Sequence, residues 1–157
     1  MKKSLLLLGF IVLATLTVKA QSVEDLMSQV INSNLQTTVA ELSGEQATSI
    51  NGSTQTITTR VQSNNDLAAG YIKERLEAMP NLNVEFQNFN SVGKNVIATQ
   101  LGQTNPDDIY IICAHYDSVT TYCADDNATG VAAILEIARL LSTQCIDNTI
   151  VYALWDE

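Results

Sequence analysis

The stretch IYIICAHYDSVTTYCADDNATGVAAILEIARLL, residues 109–141, with TIVYALW at 149–155, decides how this chain folds. Ile109 to Ala114 is an unbroken apolar run, and such a run suits a strand buried on both faces, the central position of an α/β sheet. From Thr129 to Leu141, Val131, Ile134, Leu135, Ala138 and Leu141 fall on one apolar stripe, which predicts a helix. Thr149 to Trp155 reads as a second buried strand. Strand, helix and strand in that order form a right-handed crossover, so the two strands are expected to run parallel.

Upstream the pattern changes. Leu82, Val84 and Phe86 alternate with polar residues, a turn falls at Ser91 to Lys94, and Asn95 to Leu101 gives a further strand, which predicts a hairpin. Asp66 is placed to cap a helix running to Met79, where Pro80 and Asn81 stop it. The tract from Asn32 to Arg60 is rich in Ser, Thr, Asn and Gln, carries a short helical patch at Leu35 to Leu42, and reads as surface connection rather than core. Before it, Ser22 to Asp25 has the form of a capping box, and Val23, Leu26, Met27, Val30 and Ile31 follow the spacing of an amphipathic helix. Met1 to Ala20 reads as a bacterial-type secretory signal. Lys2 and Lys3 supply its positive start, Leu5 to Val18 is apolar but too short to span a bilayer, and Val18-Lys-Ala20 is a small-residue cleavage site. The expected organisation is therefore a signal at 1–20, a helical and polar leader at 21–60, and an α/β domain at 61–157.

Eight Lys and Arg stand against 17 Asp and Glu, and the signal takes three of the eight basic residues while holding no acid. The remaining chain is strongly acidic, which argues against nucleic acid and, after signal cleavage, against a membrane surface as partner. Export would place it in an oxidising compartment, secreted or periplasmic. Cys113, Cys123 and Cys145 make an odd number there. Cys113 reads as a small buried residue of the strand, whereas Cys123 and Cys145 flank the same helix and are candidates for a disulfide. None has a Cys-x-x-Cys partner, so a thiolate zinc knuckle is not expected.

The chemistry concentrates between strand and helix. His115 is the only histidine, and Asp117 follows it two positions on, so an extended backbone points both side chains the same way at the carboxyl end of the strand. That edge of an open α/β sheet is where ligands bind. An imidazole that ligates a metal commonly has its other ring N–H held by a carboxylate, and a His-x-Asp pair can supply both. Asp125 and Asp126 then arrive at the mouth of the helix. Two adjacent carboxylates repel, the helix amino terminus offsets only part of that, and a bound cation would offset much more. Asn127-Ala-Thr-Gly130 allows a tight entry into the helix. A lone strand-end histidine is usually structural and an Asp before a helix is usually a cap. Their conjunction on adjacent loops at the ligand-binding edge favours a site.

Ala114-His-Tyr-Asp-Ser-Val119, then Ala124-Asp-Asp-Asn-Ala-Thr-Gly130, then the helix to Leu141 resemble the co-catalytic zinc aminopeptidases of the bacterial leucyl aminopeptidase type. The resemblance covers residues 60–157 and is strongest from Ile109 onward. It implies a three-layer αβα sandwich with a mixed, mostly parallel sheet, of which residues 61–157 supply the amino-terminal part. It implies two zinc ions, with His115 as a ligand of one, Asp126 bridging both, and Asp117 orienting His115. Asp125 is then a neighbour and not a ligand, and the peptide after Asp126 is strained or cis. The implied substrate is the amino terminus of a peptide or protein, cleaved by metal-activated water. Tyr122-Cys123 stands where relatives often carry Pro-Gly.

In the family the strand matching Thr149 to Trp155 ends as aromatic-x-x-Glu-Glu, general base and then zinc ligand. Counted from Trp155 those glutamates fall at 158 and 159, which makes Glu157 the residue before the base, or the base itself if the loop shifts by one. The family draws a further aspartate and histidine ligand from later strands, so residues 21–157 alone are expected to bind zinc weakly and not to hydrolyse. Two other readings stay open: a glutaminyl cyclase-like zinc transferase, and a noncatalytic peptidase-like ectodomain that binds without cleaving.

Overall fold

The computed structural model describes residues 22–156. The signal expected at Met1–Ala20 and the acid Glu157 lie outside the described residues.

Ser22 opens helix α1 (Val23–Met27) with a capping box: its hydroxyl accepts from the Asp25 N–H at 3.1 Å, and the Asp25 carboxylate accepts from the Ser22 N–H at 3.3 Å. The helix expected to run on to Ile31 breaks there, and α2 (Asn32–Leu42) starts anew. Tertiary hydrogen bonds hold the break. Glu136 accepts from the Ile31 N–H at 2.7 Å, and Arg139 donates to the Gln29 carbonyl at 2.8 Å. The tract read as surface connection does more than connect. It forms α2, then a small hairpin of β1 (Thr48–Ile50) and β2 (Ser53–Gln55), and it contributes Leu42, Ile50, Ile57 and Arg60 to the interior. Asn51 and Gly52 turn that hairpin with φ of 51° and 73°, the left-handed pair that a two-residue turn requires.

Helix α3 (Asp66–Glu77) begins one residue earlier than a cap at Asp66 implies, with Asn65 in the capping position. Its buried stripe is Ala68, Ala69, Ile72 and Leu76. β3 (Asn83–Asn88) and β4 (Lys94–Gln100) form the expected antiparallel hairpin, in register from Asn83 opposite Thr99 to Asn88 opposite Lys94. β5 (Asn105–His115), α4 (Asp125–Leu141) and β6 (Asn148–Trp155) form the expected crossover, with β5 and β6 parallel and His115 opposite Trp155.

The four strands lie in the order β3-β4-β6-β5, a mixed α/β sheet. Among the described residues β6 pairs parallel with β5 and antiparallel with β4, so one of the three pairings is parallel. Val96, Ala98, Tyr152 and Leu154 share one core with the buried faces of α3 and α4, and Ile112, Ala114 and Ile150 pack against it. Both helices therefore cover the same face, and α2 packs against α4. The described residues supply two of the three expected layers. That arrangement corrects the reading of Ile109 to Ala114 as a strand buried on both sides. β5 is an edge of the described sheet, and Ile109 and Ile111 are 58% and 61% exposed. An apolar run reports which side chains can be buried, not which neighbours cover them.

Cys113, Cys123 and Cys145 are all free, so the candidate disulfide is not formed. Cys123 and Cys145 flank opposite ends of the 17-residue α4. At 1.5 Å per residue those ends are about 25 Å apart, far beyond the roughly 7 Å limit between bridged Cα atoms.

Candidate metal centre

The site begins where β5 runs out. The Tyr116 N–H donates to the Trp155 carbonyl at 2.8 Å and so extends the ladder past His115. Extended backbone through this point sends His115 and Asp117 to one side, and the His115 Nδ1 lies 3.0 Å from the Asp117 Oδ1. The other ring nitrogen, Nε2, lies 3.4 Å from the Asp126 Oδ1. The imidazole therefore stands between two carboxylates, one on each nitrogen.

Asp126 owes its position to a distortion of the helix start. Asp126 and Asn127 have non-helical backbone angles within α4, and the peptide bond joining them is cis. Asn127 then caps the regular helix, accepting from the Gly130 N–H at 3.0 Å. A Cβ at residue 130 would come within 2.5 Å of the Asn127 carboxamide oxygen, so the glycine makes room for this cap. The Asp125 side chain and carbonyl accept instead from the Thr129 hydroxyl.

Loop 116–124 is laced to the segment before α3. The Ser118 N–H donates to the Arg60 carbonyl at 3.0 Å and the Tyr122 N–H to the Thr58 carbonyl at 3.1 Å. Arg60 itself is 1% exposed and was not singled out by the sequence. Its guanidinium donates to the carbonyls of Tyr116 at 2.8 Å, Cys123 at 2.8 Å, Asp126 at 3.0 Å and Leu42 at 2.5 Å. Burial lowers its pKa, while Cys123, Asp126 and Asp117 favour the cation.

Behind the histidine, the buried Tyr116 hydroxyl donates to the Lys94 carbonyl at 2.7 Å. Burial first, and the Asp156 carboxylate second, push its pKa well above the ordinary phenol range. Asp156 is itself buried at the end of β6, accepting from the Asn65 side chain at 2.6 Å and the Lys94 N–H at 3.1 Å.

The spacing of the donors tests whether a metal fits. Two ligands each about 2.0–2.1 Å from a tetrahedral zinc stand about 3.4 Å apart. The Nε2 to Oδ1 distance of 3.4 Å meets that, and the carboxylate on Nδ1 is the orienting partner that metal-bound imidazoles usually have. Among the described residues no group of three or more His, Cys, Asp or Glu side chains is placed to hold an ion, so the donor pair fits and the rest of a ligand set is not within residues 22–156.

Comparison with known proteins agrees with this chemistry. Residues 95–157 match the family described as Peptidase family M28. A "Probable zinc metalloprotease" of Pyricularia oryzae is 42% identical over 67 residues, a match covering 37% of this chain and 13% of that protein. The aminopeptidase LapA of Legionella pneumophila superposes with a TM-score of 0.64 at 12% identity, covering 87% of this chain and 38% of the other. A glutaminyl cyclase of Porphyromonas gingivalis superposes with a TM-score of 0.63 at 20% identity, covering 80% and 45%. At those identities the two structures share the fold alone. The chain thus spans less than half the length of these relatives. Residues 95–157, which match peptidase family M28, are the residues that carry His115, Asp117 and Asp126, and the His115–Asp126 donor pair has the spacing that a zinc ion needs.

Proposed function

We propose that this chain is part of an exported zinc aminopeptidase, removing amino-terminal residues from peptides or proteins. The observation that carries the reading is the imidazole held between Asp117 and Asp126 at orienting and ligand distances. In it His115 and Asp126 would hold zinc, and Asp117 would fix the His115 tautomer by accepting a hydrogen bond from its Nδ1–H. Zinc supplies Lewis acidity and an activated water for hydrolysis. The chain's own part is to fix the donors: the β5 ladder aims His115, the distorted α4 start aims Asp126, and the anchored loop joins them. Export rests on the signal-like Met1–Ala20.

A second reading, cyclisation of amino-terminal glutamine, is favoured by the fold shared with the cyclase of P. gingivalis. The two separate on one pair of substrates. Purified from its source, the protein is expected to release the first residue of a leucyl anilide, to lose that activity with a chelator, and to spare the acetylated analogue. Conversion of a glutaminyl peptide to its pyroglutamyl form, with no leucine released, would replace the peptidase reading by the transferase one. Chelator-insensitive inertness toward both would leave only a binding role.

A further inference from the structure

We propose that Arg60 is a positioning residue of this site: its buried guanidinium clamps the two segments carrying His115 and Asp126 and sets the donor pair at ligand spacing in the metal-free chain. The inference rests on the zinc reading above but concerns a residue outside the matched segment 95–157.

Three guanidinium nitrogens reach four main-chain carbonyls, and three of those belong to the site segment. The Tyr116 carbonyl sits between His115 and Asp117. The Asp126 carbonyl belongs to the other donor residue, and the Cys123 carbonyl lies on the loop between them. The fourth, Leu42, ties the assembly to the end of α2. Loop 116–124 has few ladder hydrogen bonds of its own, and buried carbonyls need donors. A planar guanidinium supplies five in a fixed fork; an ammonium supplies three from one point and cannot span the same carbonyls. The cation also stands among the negative charges of Asp117 and Asp126, offsetting repulsion that an ion would otherwise have to relieve. The main-chain bonds from Ser118 and Tyr122 to residues 58–60 do not involve the Arg60 side chain, so changing it tests the clamp and not the strand-like anchoring.

The test uses the metal-free full chain, with amide hydrogen exchange over residues 116–126 and zinc affinity by competition with a chromogenic chelator. Wild type, Arg60→Lys and His115→Ala are compared. In the wild type, loop exchange is expected to change less than about twofold on adding zinc, because the loop is already set. Arg60→Lys is expected to exchange the loop about tenfold faster, leave β4 and β6 unchanged, and weaken zinc binding about tenfold. His115→Ala is expected to lose zinc while keeping loop protection, which separates the clamp from the ligand. Loop exchange unaltered in Arg60→Lys would overturn the proposal, and so would faster exchange with unchanged zinc affinity. If Arg60→Lys does not fold, the wild type decides: zinc-induced protection above about tenfold means the ion, not Arg60, orders the loop. If the wild type takes up no zinc, the metal reading fails and loop exchange in Arg60→Lys alone decides the clamp.

Discussion

Replacing Asp117 by Asn keeps the size of the group 3.0 Å from the His115 Nδ1 but removes the charge that holds the ring. Zinc affinity is expected to fall about 10- to 100-fold, whereas Asp125→Asn, on the Thr129 side of the helix start, is expected to leave it unchanged. Chelator competition on the two variants checks both expectations. The positions of His115, Asp117 and Asp126 were legible because strand alternation and one loop bring them together. Arg60 was not legible. Its partners are the main-chain carbonyls of four residues, and a carbonyl leaves no trace in the identity of the residue that bears it. An arginine closing a Ser- and Thr-rich tract looks like any solvated charge until its side chain is seen to be buried.

At the scale of elements, Glu136 joins α4 to the break between α1 and α2. It is 5% exposed and accepts from Arg139, Asn34 and the Ile31 N–H. The Arg139 hydrogen bond, opposed by burial and aided by Ile31 and Asn34, holds its pKa down to about 2 from 4.5. The carboxylate's stabilisation is therefore present above about pH 4.5 and is lost as pH falls toward 2. Its size is on the order of 3 kcal/mol. Glu136→Gln is expected to lower stability at pH 7 and to flatten the wild-type loss between pH 5 and 3, read by urea unfolding across that range. Gly102 offers a second check, between β4 and β5. A Cβ there would meet the Asp147 carbonyl oxygen at 2.5 Å and the Thr149 nitrogen at 2.7 Å, both backbone. Gly102→Ala is expected to cost about 1–3 kcal/mol, seen as a lowered urea midpoint with unchanged slope. The crossover unit was legible because two apolar runs of strand length bracket an unbroken stripe of period 3.6. The α1–α2 break was not, because it is made by side chains more than a hundred positions away. The β1–β2 hairpin could have been found from Asn51-Gly52 alone, a pairing that takes positive φ readily, but the polar composition around it read as loop.

At the scale of the whole molecule, one face of the described sheet holds the core, and among the described residues no helix covers the other. Ile109 and Ile111 of the edge strand β5 are mostly exposed, and unpaired edges with apolar faces invite association. Residues 22–156 by themselves are expected to self-associate with rising concentration, and Ile111→Lys to reduce this without lowering the unfolding midpoint; sedimentation over a concentration series reads the difference. The helices themselves were legible from their apolar stripes, whereas the edge position of β5 depends on neighbours that the run itself does not name. The central claim is that His115 and Asp126 are a zinc pair. The most direct measurement is anomalous diffraction at the zinc edge from crystals of the protein grown with zinc. The account predicts a peak about 2.1 Å from both the His115 Nε2 and an Asp126 carboxylate oxygen. A peak elsewhere, with the imidazole still between Asp117 and Asp126 and no density beside it, would contradict the account.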